Sequence, residues 1–184
     1  MPVAPRVVLD ACVLYPTVLR SVLLEVADAG LFTPLWSARL LEEWARAAAR
    51  RGPVDAAQAR GEIALVRARH AGAEVPEAPG LDARLWLPDA NDIHVLATAV
   101  RASADLILTW NAKDFPRAEL AAEGVGRSDP DTFLRELWLR APEAVTAAAE
   151  RVQAEAERLD DAPRTLRALL KKARLPRLAK AIGD

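Results

Sequence analysis

Short apolar segments alternate with helix-forming segments along most of this chain, and this alternation is the feature that most constrains its fold. The first segment, Val7-Val8-Leu9, is apolar and mostly β-branched, as expected for a buried strand. Strands are predicted at residues 6–10, 31–36, 106–110 and 125–127, and helices at residues 19–29, 38–51, 54–71, 91–102 and from Pro130 onward. Alternating strands and helices favour an α/β fold, with a parallel central sheet flanked by helices.

The last part of the chain has a different pattern, which is purely helical. Three helical segments are separated by Pro142, Pro163 and Pro176, so we predict a domain at residues 1–140 and a helical C-terminal extension at residues 141–184. From Pro163 onward the extension carries seven basic residues and one acidic residue. Such a charge excess is typical of a segment that faces RNA or a protein partner, but a solvated basic helix face explains it equally well.

Composition limits the remaining classes of protein. The chain has 184 residues and a net charge of −1, which gives no global attraction to nucleic acid. Its single cysteine, Cys12, excludes an intrachain disulfide and fits a reducing compartment. Met1-Pro2-Val3 leads directly into the first strand without a signal peptide, and no apolar run reaches the roughly 18–20 residues that span a bilayer. We therefore expect a cytoplasmic protein that does not enter a membrane.

Four acidic residues lie where a predicted strand ends or near the beginning of a helix: Asp10, Glu43, Asp92 and Asp114. In open α/β sheets, sites form outside the carboxyl ends of the strands. Carboxylate oxygens there suit Mg²⁺ or Mn²⁺, which prefer hard oxygen ligands. The pattern favours a metal-dependent phosphodiesterase.

Each candidate residue also has a purely structural interpretation. Asp89 or Asp92 could cap the following helix, and Asp114 could be a turn residue. Glu43 is adjacent to Glu42, and the surrounding apolar residues do not separate the two. His94 stands two residues after Asp92 in a predicted helix and is therefore expected to project away from the carboxylate of Asp92.

Several segments resemble motifs of PIN-domain nucleases. Leu9-Asp10-Ala11-Cys12-Val13-Leu14-Tyr15-Pro16 resembles their opening strand, residues 87–99 resemble their central acidic helix, and residues 108–116 resemble their fourth motif. With Trp36-Ser37 and Glu42-Glu43-Trp44 between them, the resemblance covers about residues 6–140. Among PIN proteins the chain most resembles VapC-type toxins of VapBC toxin–antitoxin systems that carry an extra helical C-terminal region.

The resemblance implies a role for each matching position. Asp10, Glu43, Asp92 and Asp114 correspond to the four acids that hold the metal ion and serve catalysis. Asn111 stands where many members have Asp, which removes one charge and leaves open whether one or two ions bind. Supporting roles toward metal-bound water or phosphate are expected for a smaller set: Asn111, Thr109, Asp89 and Ser37.

By resemblance, the chain is a Mg²⁺- or Mn²⁺-dependent endoribonuclease, with RNA as substrate and a cognate antitoxin protein as partner. Homodimers are common in the family, but this sequence does not show one. One alternative is a catalytically impaired PIN module that binds RNA or a protein partner. Another is a Mg²⁺-dependent phosphatase or phosphotransferase, which is disfavoured because Cys12 stands where such enzymes need a second Asp.

Overall fold

The computed structural model describes residues 3–183, and it contains the predicted α/β fold. Its five strands are β1 (Arg6–Leu9), β2 (Thr33–Ser37), β3 (Glu74–Val75), β4 (Leu106–Leu108) and β5 (Gly126–Ser128). All four strand pairs are parallel, and the strands lie in the order β3-β2-β1-β4-β5. The prediction of a parallel central sheet is confirmed.

Helices cover the sheet and continue beyond it. They are α1 (Ala11–Leu14), α2 (Thr17–Asp28), α3 (Ala38–Ala49), α4 (Pro53–Arg69), α5 (Pro79–Arg84), α6 (Ile93–Arg101), α7 (Arg117–Ala122), α8 (Pro130–Arg140), α9 (Pro142–Asp160), α10 (Leu166–Lys172) and α11 (Pro176–Gly183). Single 3₁₀ turns lie at Ala90–Asp92 and Ala112–Asp114. Within residues 3–183, no helix is both long and apolar enough to cross a membrane.

The central strand β1 explains why the sheet is buried on both faces. Val7, Val8 and Leu9 have no exposed surface, so their side chains contact helices on both sides of the sheet. At roughly 25 cal/mol for each Å² of apolar surface removed from water, such residues supply much of the driving force for folding. Ser37 starts α3 as predicted, because its Oγ accepts a hydrogen bond of 3.2 Å from the backbone N–H of Leu40.

The sheet order also locates a crevice. From β1 the chain proceeds outward through β2 to β3, and it then returns to place β4 on the other side of β1. At such a topological switch point, neighbouring connections leave the sheet in opposite directions and open a crevice at the carboxyl ends of the strands. In this protein the crevice lies beyond Leu9 and Leu108, which are register partners.

The C-terminal segment is helical, as predicted, and packs directly on the rest of the chain. Helix α9 packs on α2, and α11 packs on α8. Val145, Leu170 and Leu178 are fully buried and belong to the same core cluster as the sheet. The division into a nuclease domain and an extension at residue 141 stays a prediction.

Candidate active site

Asp10 occupies the floor of the crevice, directly after β1. Its backbone N–H donates a 3.1 Å hydrogen bond to the carbonyl of Leu108, which ties the end of β1 to β4. Its side chain is only 6% exposed. Oδ2 accepts hydrogen bonds from the Thr109 hydroxyl at 2.7 Å and from the Cys12 thiol at 3.1 Å. Two neutral donors therefore orient a buried carboxylate toward the crevice.

Cys12 acts as a hydrogen-bond donor because its thiol stays protonated. Burial, followed by the negative charge of Asp10, raises the pKa of Cys12 to about 12. The Cys12 sulfur in turn accepts the backbone N–H of Trp110 at 3.4 Å. A thiol in this state is a packing and hydrogen-bonding group, so Cys12 is not a candidate nucleophile.

Asp92 is the carboxylate whose pKa is shifted by the other acids of the site. It ends the 3₁₀ turn Ala90–Asp92 that leads into α6. Desolvation, together with the charges of Asp10, Asp89 and Asp114, raises the pKa of Asp92 from its ordinary 3.8 to about 6. A raised carboxyl pKa caused by neighbouring acids indicates negative charge that the protein itself does not neutralise.

The segment after β4 supplies the other predicted residues. Thr109 is buried, and its Oγ1 accepts the backbone N–H of Asn111 at 2.9 Å while its hydroxyl donates to Asp10. The side chain of Asn111 is exposed. Asp114 is half-buried in the second 3₁₀ turn, where its charge acts on Asp92. Asp10, Asp92 and Asp114 thus share one crevice, with Thr109 beneath them.

Glu43 contacts two basic side chains, His94 and Arg39. Its Oε1 is 2.8 Å from Nε2 of His94 and 3.4 Å from Nε of Arg39. Neither ring nitrogen of His94 has an aligned hydrogen bond, so the 2.8 Å approach is a close polar contact without hydrogen-bond geometry. Glu43 is not among the charges that shift the pKa of Asp92. Its neighbour Glu42 forms ion pairs with Arg60 and Arg46 on the surface.

His94 is the residue on which sequence reasoning was wrong. His94 does not project away from the site. It is buried and contacts Glu43, and its charge lowers the pKa of Asp92, which partly offsets the increase caused by burial and the neighbouring acids. The helical angle of 100° per residue fails here because Asp92 belongs to a 3₁₀ turn and only Ile93 begins the α-helix. A Pro88-Asp89 pair just before the helix was the available signal of an irregular start.

Two predicted supporting residues have structural roles in this fold. The Ser37 hydroxyl caps α3, as described above. The exposed carboxylate of Asp89 accepts the backbone N–H of Asn91 at 2.9 Å and so caps the 3₁₀ turn. Its charge nevertheless contributes to the raised pKa of Asp92.

A basic groove begins beside Glu43. It has a volume of about 830 Å³, and its lining includes four arginines, Arg39, Arg46, Arg50 and Arg67, and three glutamates, Glu42, Glu43 and Glu77, so that one positive charge is in excess. Asn91, the residue before Asp92, also lines the groove. Among the described residues Arg50 has no ion-pair partner, whereas Arg67 is paired with Glu74 at 2.6 Å.

The donor set fits a hard divalent cation in its chemistry. Carboxylate and hydroxyl oxygens are the ligands that Mg²⁺ and Mn²⁺ select, and the unneutralised charge at Asp92 would be compensated by a cation. The side chains are not gathered into a complete cage, because nowhere in residues 3–183 do three His, Cys, Asp or Glu side chains come close enough to hold an ion.

The fold and the crevice together define the class of protein: an α/β protein with an acidic site at the topological switch point of a parallel sheet. The sequence then identifies the family, because residues 6–113 match the model of the PIN domain family. This match covers more than half of the chain, and the protein belongs to the PIN-domain family. PIN domains are in general nucleases that use divalent metal ions. No curated protein and no solved structure matches the chain significantly.

Proposed function

We propose that this protein is a Mg²⁺- or Mn²⁺-dependent endoribonuclease, acting as the toxin of a toxin–antitoxin pair. One observation carries the nuclease assignment: residues 6–113 match the PIN domain family. Asp92 shares its crevice with Asp10 and Asp114, whose charges help to raise its pKa, and this crevice is the candidate place for the ion. Burying uncompensated carboxylates together costs folding free energy, and a fold keeps such a cluster where function needs it. A divalent cation restores the balance of charge.

Asp10, Asp92 and Asp114 would hold the ion, directly or through water, with Glu43 as the fourth acid. A bound ion supplies a coordinated water of lowered pKa and neutralises charge that develops on the phosphate. The chain's own part is orientation. Thr109 and the Cys12 thiol fix one carboxylate oxygen of Asp10, and His94 and Arg39 hold Glu43 at the entrance of the basic groove.

The basic groove supports RNA as the substrate. Arginines pair with phosphate oxygens through their planar forks, and such contacts give affinity without sequence choice. Arg50 is the best placed of the four for this role, because it has no ion-pair partner among the described residues. In this proposal the RNA backbone runs from the groove past Glu43 into the acidic crevice.

The toxin role rests on the resemblance to VapC-type proteins and implies a cognate antitoxin in the cytoplasm. We propose that the antitoxin inhibits by placing an Arg or Lys against the crevice carboxylates or by displacing the ion. A complex in which the antitoxin leaves Asp10 and Asp92 open to solvent would contradict this mode of inhibition. A gene for a small DNA-binding protein beside this one would support the pairing.

The nuclease proposal is tested by cleavage of an RNA panel with the full chain in Mg²⁺, Mn²⁺ or EDTA. We expect cleavage that requires a metal ion and falls to background in Asp10→Asn and Asp92→Asn. Glu136→Gln, an exposed acid on α8, is the matched control and should keep wild-type activity. Undiminished cleavage by both crevice variants would refute the metal-site assignment.

A second candidate function is a PIN module that binds RNA or a protein without cleaving it. It is favoured by the pairing of Glu43 with His94 and Arg39 and by the missing three-residue metal cage among residues 3–183. The same experiment decides between the two. RNA binding without cleavage by pure, metal-loaded wild-type protein would establish the binding module.

A further inference from the structure

Within residues 3–183, a stacking contact joins the C-terminal segment to the loop that follows β4. The guanidinium carbon of Arg174 lies 4.1 Å from the centre of the Trp110 ring. Trp110 directly follows Thr109, the residue whose hydroxyl binds the Asp10 carboxylate. Trp110 also donates its backbone N–H to the sulfur of Cys12, the second hydrogen-bond donor to Asp10. The contact therefore brings a cation from the α10–α11 turn to the loop that holds Asp10, although 64 residues separate Arg174 from Trp110 in the chain.

Arg174 is fixed in this place by the backbone around it. Its φ angle of +63° lies in the left-handed region, which an L-residue adopts only where the surrounding structure imposes it. The next residue, Leu175, is fully buried, and its N–H donates a 2.9 Å hydrogen bond to the carbonyl of Leu170. The side chain of Arg174 thus projects from a rigid turn.

A comparison with the other arginine–tryptophan pair shows what is unusual about Arg174. Arg20 lies 4.2 Å from the centre of the Trp44 ring, but it is buried, paired with Glu62 and bonded to two backbone carbonyls, as a structural arginine should be. Arg174 is exposed, and among the described residues its side chain forms no hydrogen bond and no ion pair. Its N–H donors remain available to a ligand.

We propose that Arg174 is a phosphate-binding residue for the RNA substrate, held in place by Trp110 and contributed to the site by the C-terminal helices. This inference rests on the proposed function. Asp10, Asp92 and Asp114 repel an approaching polyanion, so the rim must supply positive charge. A guanidinium held over an aromatic ring keeps its donor edges free for bidentate phosphate binding. The C-terminal helices are then part of the nuclease site.

The test measures the salt dependence of RNA binding. Binding of a short, fluorescently labelled single-stranded RNA is measured for the full chain in the Asp92→Asn background, so that cleavage does not interfere. Each phosphate contact contributes about −0.7 to the slope of log K against log salt for single strands. Arg174→Gln should make that slope less negative by about 0.7 and weaken RNA binding about tenfold. Arg135→Gln, an equally exposed arginine on α8, should leave the slope unchanged.

Kinetics in the otherwise wild-type chain complete the test. We expect Arg174→Gln to raise KM about tenfold at unchanged kcat and melting temperature, and Arg174→Lys, which keeps the charge, to keep the salt slope. A lower melting temperature with an unchanged slope would show that Arg174 only docks the helices, and this would overturn the inference. If Arg174→Lys lost as much of the salt slope as Arg174→Gln, this would also overturn the inference. If the proposed nuclease function itself is wrong, the wild-type protein will cleave no RNA, and this result is distinct from both outcomes above.

Discussion

The hydroxyl of Thr109 donates a 2.7 Å hydrogen bond to Oδ2 of Asp10, and this bond joins the carboxyl ends of the two central strands. The same Thr109 oxygen accepts the backbone N–H of Asn111, so one side chain fixes both the carboxylate and the loop that leads to Asp114. Orientation of the candidate metal ligand therefore depends on a residue that carries no charge.

Thr109→Val tests this dependence. Valine has nearly the same shape as threonine, but it leaves Asp10 without its shorter hydrogen bond and Asn111 without its acceptor. Residues that orient metal ligands typically contribute about 10- to 100-fold to affinity or activity. We expect RNA cleavage to fall by that factor in Thr109→Val. Thr109→Ser retains the hydroxyl and should stay within a few-fold of wild type; equal loss in both variants would exclude the hydrogen bond as the cause.

Asp92→Asn should stabilise the metal-free protein at high pH. The folded-state pKa of Asp92 is raised to about 6, so the folded protein binds this proton more tightly than the unfolded chain does. The stability that the proton provides is complete below the ordinary pKa of 3.8 and is lost as the pH rises through 6. Asparagine mimics the protonated acid at every pH. After allowance for screening at this half-buried position, we expect a gain on the order of 1–2 kcal/mol at pH 8.

Urea denaturation in EDTA at a series of pH values measures this effect. The stability difference between Asp92→Asn and wild type should shrink as the pH falls and vanish near pH 4, whereas Glu136→Gln should stay within about 0.5 kcal/mol of wild type throughout. A destabilising effect of Asp92→Asn at pH 8 would contradict the crowding of negative charge in the crevice.

The fold was predictable because its signals are local. Strand β1 is a run of buried apolar residues, and the cap of α3 depends on Ser37 and Leu40, three residues apart. Helix α1 was missed because Ala11-Cys12-Val13-Leu14 is a single apolar turn, too short for helical periodicity to distinguish it from the end of a strand.

The site was predictable only in part, because its geometry depends on long-range contacts. The sequence indicated the acids, and Asp10, Asp92 and Asp114 do share the crevice. The contact between His94 and Glu43 joins two helices, and the stacking of Arg174 on Trp110 joins residues far apart in the chain. No spacing rule within one element reveals such pairs.

Arg20 supports the segment that carries Asp10. It is 4% exposed, donates to the carbonyls of Leu14 and Tyr15 at 2.6 and 3.1 Å, and pairs with Glu62. Arg20→Met fills much of the same space but leaves both carbonyls without their donor and Glu62 with only the hydrogen bond from Gln58. We expect a loss of about 2–4 kcal/mol in the free energy of unfolding, measured by urea denaturation. Adding Glu62→Gln should recover part of this loss; a double variant no more stable than Arg20→Met would contradict the charge argument.

Asp131 attaches α11 to α8. Its carboxylate is 4% exposed and accepts the backbone N–H groups of Arg177 and Leu178 at 3.0–3.1 Å, which caps α11 from another helix. Asp131→Ala leaves these donors unsatisfied and should cost about 2–4 kcal/mol. Hydrogen exchange should then accelerate at residues 176–183. Asp129→Ala removes the local cap of α8 two residues earlier, together with an exposed 3.9 Å ion-pair contact to Arg177, so it should cost only about 1 kcal/mol and leave most of the protection of α11 intact. If both variants exposed α11 equally, its attachment would depend on the packing of α8 rather than on the buried carboxylate.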